Sequence, residues 1–267
     1  MTVFPIRYPG TWLEVGNRDL ASRVQSTLYL LESQATDAFV SVNLFVTARI
    51  HDEAGPSDAD WEKAAEERSH TEAILIQEIA AQNDVGEHEI RSRLNWDAVR
   101  EEIERRTSVR RWERGDSPTA YRRRLPFLHA HSFLYAVNSF GAVLSTLAAE
   151  PGLPACVVNE DMAFRDAFPS AREVRNSAQH IEDRGRGLGR NKKPLQPKPI
   201  VNQFVHAPGG GALMLGNLFN DRLGYTMADG EHGEIAVNVE SAGQIQACLQ
   251  RLLDGLAWRG PARWIPE

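Results

Sequence analysis

Ala171-Arg172-Glu173-Val174-Arg175-Asn176-Ser177-Ala178-Gln179-His180-Ile181-Glu182-Asp183-Arg184 is the stretch on which the reading of this chain turns. Val174, Ala178 and Ile181 fall at i, i+4 and i+7, the spacing of one helix face. Ser170 with Glu173 three residues on has the form of a capping box. At roughly 100° per residue from Val174, Arg175 lies at about 100° and His180 at about 240°. Asn176, His180 and Arg184 form a polar stripe of their own at i, i+4 and i+8. The stretch therefore reads as one short helix. It buries Val174, Ala178 and Ile181 and turns an arginine, an amide and an imidazole outward.

Upstream lies the strongest helical pattern in the chain, 118–150. Leu125, Phe127, Leu128, Phe133, Leu134, Val137, Phe140, Val143, Leu144 and Leu147 make a broad apolar face, and Pro151-Gly152 ends it. A connector over 153–161 leads to a short apolar segment at 162–168. Downstream, residues 185–194 form a basic loop broken by glycines. Four β-like runs follow, at 200–206, 212–219, 222–228 and 234–240. Their separators, Pro208-Gly209-Gly210-Gly211, Asn220-Asp221 and Asp229-Gly230-Glu231-His232-Gly233, are hairpin turn chemistry. Ser241 is placed to cap a last helix over 242–256, with Ile245, Cys248, Leu249, Leu252 and Leu253 inward.

Residues 1–17 read as an arm packed on the body. Residues 19–50 read as helix, with 39–50 apolar nearly all round and so deeply buried, although a strand there is not excluded by composition. Gly55-Pro56-Ser57 marks a loop, with Ser57 or Asp58 as N-cap of a helix over 61–82. Residues 87–114 read as one long charged helix with sparse apolar anchors. The fold expected is mainly α: a helical bundle with a small antiparallel meander, 197–240, inserted before the last helix. The expected division is 1–115, an arm and charged helices packed on the body, and 116–267, the core, with one continuous domain as the alternative. No βαβ alternation supports a nucleotide-binding α/β fold.

The 267 residues are 42% hydrophobic and 25% charged, with a net charge of −6. That is ordinary globular composition; the mild charge does not suggest a generic nucleic-acid binder, although whole-chain charge says little where charge is clustered. Cys156 and Cys248 are the only cysteines and form no CxxC. A disulfide framework is not expected, and a reducing cytoplasmic setting is. No apolar run approaches membrane-span length.

Arginine offers a permanently charged planar fork suited to phosphate. Histidine exchanges a proton near neutrality. Together they suffice to cleave RNA without metal: the histidine moves a proton at the 2′-hydroxyl or leaving oxygen, and the arginine offsets transition-state charge. One histidine cannot be acid and base at once, and a two-fold dimer supplies a second.

The segment Arg175-Asn176-Ser177-Ala178-Gln179-His180, after a long apolar helix and a short connector, resembles the Arg-x4–6-His signature of HEPN-superfamily ribonucleases in its Arg-Asn-x3-His form. The resemblance covers about 123–184. It implies a helical bundle, a homodimer pairing two motifs in a cleft, and metal-independent RNA endonuclease activity without a cofactor. It also implies a toxin–antitoxin or anti-phage setting, with an antitoxin or nucleotidyltransferase as possible partner chain. Arg175, Asn176 and His180 carry over as the catalytic set. Arg184, Arg186, Arg190 and Lys192, directly after the motif, are placed to hold the RNA backbone. The alternative is a non-catalytic HEPN-like module that binds RNA or protein.

Arg105, Arg106, Arg110, Arg111, Arg114, Arg122, Arg123 and Arg124 make a local basic patch, fit either to hold phosphates or to be a solvated helix end. His129 and His131, two apart on a helix, point apart and chelate poorly. With no HExxH and no cysteine cluster, no metal site is expected. Gly185-x-Gly-x-Gly follows a helix, not a strand, and is no dinucleotide fingerprint.

Overall fold

The computed structural model describes residues 1–54, 58–90 and 94–266. The protein is mainly helical with small antiparallel sheets. It divides into two compact units, one of Met1–Thr47 with Leu125–Glu267 and one of Ala48–Arg124. This differs from the 1–115 and 116–267 division expected from sequence. The reason is strand pairing between the chain ends. β1 (Ile6–Tyr8) pairs with β9 (Arg263–Ile265), and β2 (Trp12–Leu13) with β8 (Trp258–Arg259). The Tyr8 hydroxyl donates to Glu32 at 2.7 Å, and the Arg263 guanidinium lies 4.4 Å from the centre of its ring. The arm and the tail thus belong to one body.

In that first unit, the part of α1 (Arg18–Ala54) up to Thr47 buries Leu20, Val24, Leu28, Leu31, Ala35, Ala38, Val42 and Phe45, in steps of three and four residues. Residues 39–50 are helical but not deeply buried: Val40, Leu44, Val46 and Ile50 are exposed. α4 (Thr119–Ala148) buries Ala130, Phe133, Leu134, Val137, Phe140, Leu144 and Leu147. α5 runs Ala155–Ala167, starting seven residues before the apolar run suggested, because Pro154 takes the N-cap and Val157 and Phe164 share one buried face. α8 (Val239–Asp254) is capped not by Ser241 but by Asn238, whose Oδ1 accepts from the Ser241 N–H at 2.8 Å. Its buried residues include the five expected, joined by Ser241 and Ala242.

The meander is present as β5 (Leu215–Phe219), β6 (Arg222–Thr226) and β7 (His232–Ala236) in that order, all antiparallel. Asn220 takes a left-handed φ of 52° in the tight β5–β6 turn, which amide side chains tolerate. A two-stranded ribbon, β3 (Ile200–Val201) with β4 (His206–Ala207), precedes it. Leu223, Tyr225 and Ile235 point into the core. α6 (Ala171–Gln179) packs on β6 and β7. A Cβ at Gly233 would lie 2.9 Å from Val174 Cγ2, so only glycine lets the helix seat this closely. The short α7 (Ile181–Gly185) follows.

The second unit packs α2 (Asp58–Gln82) and α3 (Trp96–Glu113) around Leu75, Ile79, Ala80, Ile90, Val99 and Ile103. The single helix expected over 87–114 is interrupted. Glu87–Glu89 is a 3-10 turn, and Asn95 restarts the chain by accepting from the Asp97 N–H at 3.2 Å. The proposed cap Ser57 lies outside the described residues. No helix among the described residues is long and apolar enough to cross a membrane.

Candidate functional site

α6 turns Ala171, Val174 and Ser177 into the core at three-residue steps. Ser170 makes no side-chain cap bond, so the expected capping box is not formed. The stretch 171–184 is not one helix. His180 sits at φ −107° and ψ 39°, outside helical geometry, and its N–H makes the last α-type bond, to the Asn176 carbonyl at 3.0 Å. The His180 carbonyl then accepts from Asp183 and Arg184, both at 3.1 Å, starting α7 in a new direction.

That break exchanges two expected roles. Ile181, expected in the apolar stripe, is exposed. Arg184, expected on RNA, is buried at 4% exposure. Its Nη1 donates to the Leu188 carbonyl at 2.5 Å and its Nε to Ser177 Oγ at 3.5 Å. Arg184 therefore ties α7 and the following loop to α6 and is withdrawn from the RNA-binding set.

Arg175 is half-buried. Its Nη1 donates to Gln179 Oε1, one turn on. Asn138, on α4, faces the other edge of the guanidinium. Only with its amide oxygen toward Arg175 do donor and acceptor match, since a guanidinium has no acceptor. In that orientation Asn138 Oδ1 accepts from Nε at 3.3 Å and Nη2 at 3.2 Å. No carboxylate pairs with Arg175 among the described residues. His180 is exposed, with Nδ1 3.7 Å from Glu182 Oε1, a loose contact. Asn176 is half-buried and makes no side-chain hydrogen bond among the described residues.

Donor atoms of His180, Glu182 and Asp183 lie within 4.8 Å of one another, a grouping the sequence reading did not weigh. All three are solvent-accessible side chains on one short turn, and they define no metal centre by themselves.

Arg186, Arg190 and Lys192 are exposed and make no ion pair among the described residues. Their loop is closed by its own backbone: Gly189 N–H donates to the Lys193 carbonyl and Leu195 N–H to the Gly187 carbonyl, both at 2.7 Å. It is thus a shaped basic loop. The upstream arginine patch is different. Arg105 and Arg106 pair with Glu102, Arg106 and Arg110 with Glu78, Arg111 with Asp116, and Arg114 approaches Glu67 at 3.9 Å. Hydrogen bonds from Arg105 and Arg106 hold the Glu102 carboxyl down at about 2. These five arginines are engaged with acids within their own unit.

Sequence reasoning missed the partnerships of three polar groups. Asn138 could have been noticed as a lone amide beside Val137 and Phe140 in the most apolar helix. His131 Nδ1 faces the Phe127 carbonyl at 2.7 Å and Nε2 the Tyr225 hydroxyl at 2.5 Å. The carbonyl can only accept, so Nδ1 carries a proton, and Nε2 shares a hydrogen bond with the Tyr225 hydroxyl. His232 lies between Asn217 at 3.3 Å and Glu234 at 3.6 Å, and burial lowers its pKa. Strand pairing alone brings these last partners together.

No protein-family model, no curated protein and no solved structure matches the chain.

Proposed function

We propose that this chain is a metal-independent RNA endonuclease of HEPN type that works as a homodimer, in a toxin or anti-phage system. The observation that carries the reading is the state of Arg175. It is a half-buried guanidinium held by two neutral amides and matched by no acid among the described residues, and an exposed imidazole follows at the end of the same helix. Such a cation is available to an anionic ligand.

In the proposed reaction the RNA 2′-hydroxyl oxygen attacks the adjacent phosphorus. The 5′-oxygen leaves, giving a 2′,3′-cyclic phosphate and a 5′-hydroxyl end. His180 of one protomer takes the 2′-hydroxyl proton, and the same residue of the partner protonates the leaving oxygen. Arg175 offsets the charge gathered on the non-bridging oxygens. Asn176, with no side-chain partner among the described residues, contacts the substrate. Arg186, Arg190 and Lys192 hold flanking phosphates, each adding to the salt dependence of binding.

The test is cleavage of a labelled RNA in EDTA. Wild type cleaves it. His180→Ala and Arg175→Ala abolish cleavage while the melting temperature is retained, and a 2′-deoxy substitution at the scissile nucleotide blocks it. Cleavage that survives both protein changes, or the 2′-deoxy substitution, overturns the reading. Wild-type binding without cleavage points instead to a non-catalytic HEPN-like module.

A further inference from the structure

A guanidinium that is partly withdrawn from water commonly meets a carboxylate. Arg175 meets Asn138 and Gln179 instead. These three bonds use three of the five donor protons of the group and leave two, together with the whole positive charge. The anchoring is asymmetric. Gln179 belongs to the last turn of α6 itself. Asn138 belongs to α4, where its neighbour Val137 and nearby Phe140 are fully buried. Asn138 is therefore the fixed post, and its oxygen bridges the Nε–Nη2 edge as one oxygen of a carboxylate would, without the charge.

We propose that Asn138 is a positioning residue that, with Gln179, presents Arg175 as an open site for a phosphodiester group, the ligand being a backbone phosphate of RNA. The identity of the ligand rests on the ribonuclease reading above; the anion site does not. An asparagine suits this place where an aspartate would not. An aspartate has the same shape and would accept the same two bonds more strongly. It would also cancel the charge the site exists to offer. A role limited to fastening α6 to α4 would be served better by aspartate.

That difference supplies the experiment. Full-length wild type, Asn138→Asp, Asn138→Ala and Arg175→Ala are compared for thermal stability, for binding of a fluorescent 2′-O-methyl RNA oligonucleotide by anisotropy, and for binding of inorganic phosphate by NMR at the arginine Nε–H signals. Asn138→Asp should melt at or above the wild-type temperature and bind both probes about tenfold or more weakly, the loss expected for one charge-assisted contact. Asn138→Ala should keep the charge and lose less affinity. Arg175→Ala should match or exceed the aspartate loss. Asn138→Asp binding within about twofold of wild type, or melting below it, overturns the proposal. So does an Arg175→Ala variant that binds both probes like wild type.

The two readings fail separately. Oligonucleotide binding that is sensitive to Asn138→Asp in a chain that never cleaves RNA supports this site and sinks the ribonuclease. RNA cleavage that needs Arg175 and His180 but is untouched by Asn138→Asp does the reverse. Phosphate binding without oligonucleotide binding overturns RNA as the ligand.

Discussion

The seat of α6 on the meander can be tested through Val174 and Gly233. Val174 is fully buried. A Cβ on Gly233 would lie 2.9 Å from its Cγ2, 2.6 Å from Met227 Sδ and 3.2 Å from Met227 Cε. Val174→Ala removes two methyl-sized groups at about 0.8 kcal/mol each. With the cavity left behind, the cost is about 2–3 kcal/mol. Gly233→Ala alone gains about 0.5–1 kcal/mol from a less flexible unfolded chain. Crowding against a valine that cannot retreat costs about 1–3 kcal/mol. Met227 is an unbranched side chain and can move aside. In the double variant the new methyl group fills space that Val174 vacated. The double change should therefore cost about 1 kcal/mol less than the sum of the single changes. Urea unfolding should be followed by hydrogen–deuterium exchange in peptides of β6 and β7, so that the second unit does not blur the transition. Strict additivity, or a double variant worse than the sum, would refute the close seating of α6 on β7.

Two further outcomes separate structure from substrate contact and set the pH response. Arg184→Gln should lower the melting temperature with little change in the salt dependence of RNA binding; Arg186→Ala, Arg190→Ala and Lys192→Ala should leave stability alone and each reduce the slope of log affinity against log salt by about 1. His232 should make the fold acid-sensitive. Burial lowers its pKa from 6.5, against a smaller opposing pull from Glu234, so the folded state binds fewer protons than the unfolded one. Stability is then full above pH 6.5 and declines as pH falls below it. Thermal melts from pH 7.5 to 5.5 should show that decline in wild type and less of it in His232→Gln. His129→Gln should reduce the decline as well, because burial lowers the His129 pKa too.

Much of the fold was legible because its signals are local. The apolar period of α1, α4 and α8 is long, and the turns of the meander carry their own chemistry. Local patterning failed where a neighbouring element decides. Residues 90–94 keep the i, i+4 pair Ile90 and Leu94 and so read as continuous helix, yet Asn95 caps a new one. The β1–β9 and β2–β8 pairings join residues some 250 apart, beyond the reach of any window of periodicity. The site was half legible. Residue types flagged Arg175, Asn176 and His180, but nothing in Asn-Ser-Ala-Gln-His-Ile signals a helix break, since no glycine or proline marks it. Continuing the helix through His180 inverted the roles of Ile181 and Arg184. Asn138 lies 37 positions before Arg175, and its partnership exists only in the packed molecule.

The break at His180 also changes the grounds for expecting a dimer. On one continuous helix Arg175 and His180 would stand about 140° apart, which favours their meeting on one phosphate across a two-fold axis. With His180 outside helical geometry, the angle no longer follows from periodicity, and the imidazole is not bound to the azimuth of α6. What remains is chemical. In the proposed reaction a proton must leave the 2′-hydroxyl while another reaches the departing oxygen, and one imidazole cannot do both in the same step. The proposed dimer assigns that second transfer to the partner's His180, and solvent is the competing carrier. Mixing His180→Ala protomers with wild type distinguishes them. If the partner supplies it, heterodimers are inactive, and an equal mixture retains about a quarter of wild-type activity under random pairing. If solvent supplies it, each intact protomer works alone and about half is retained.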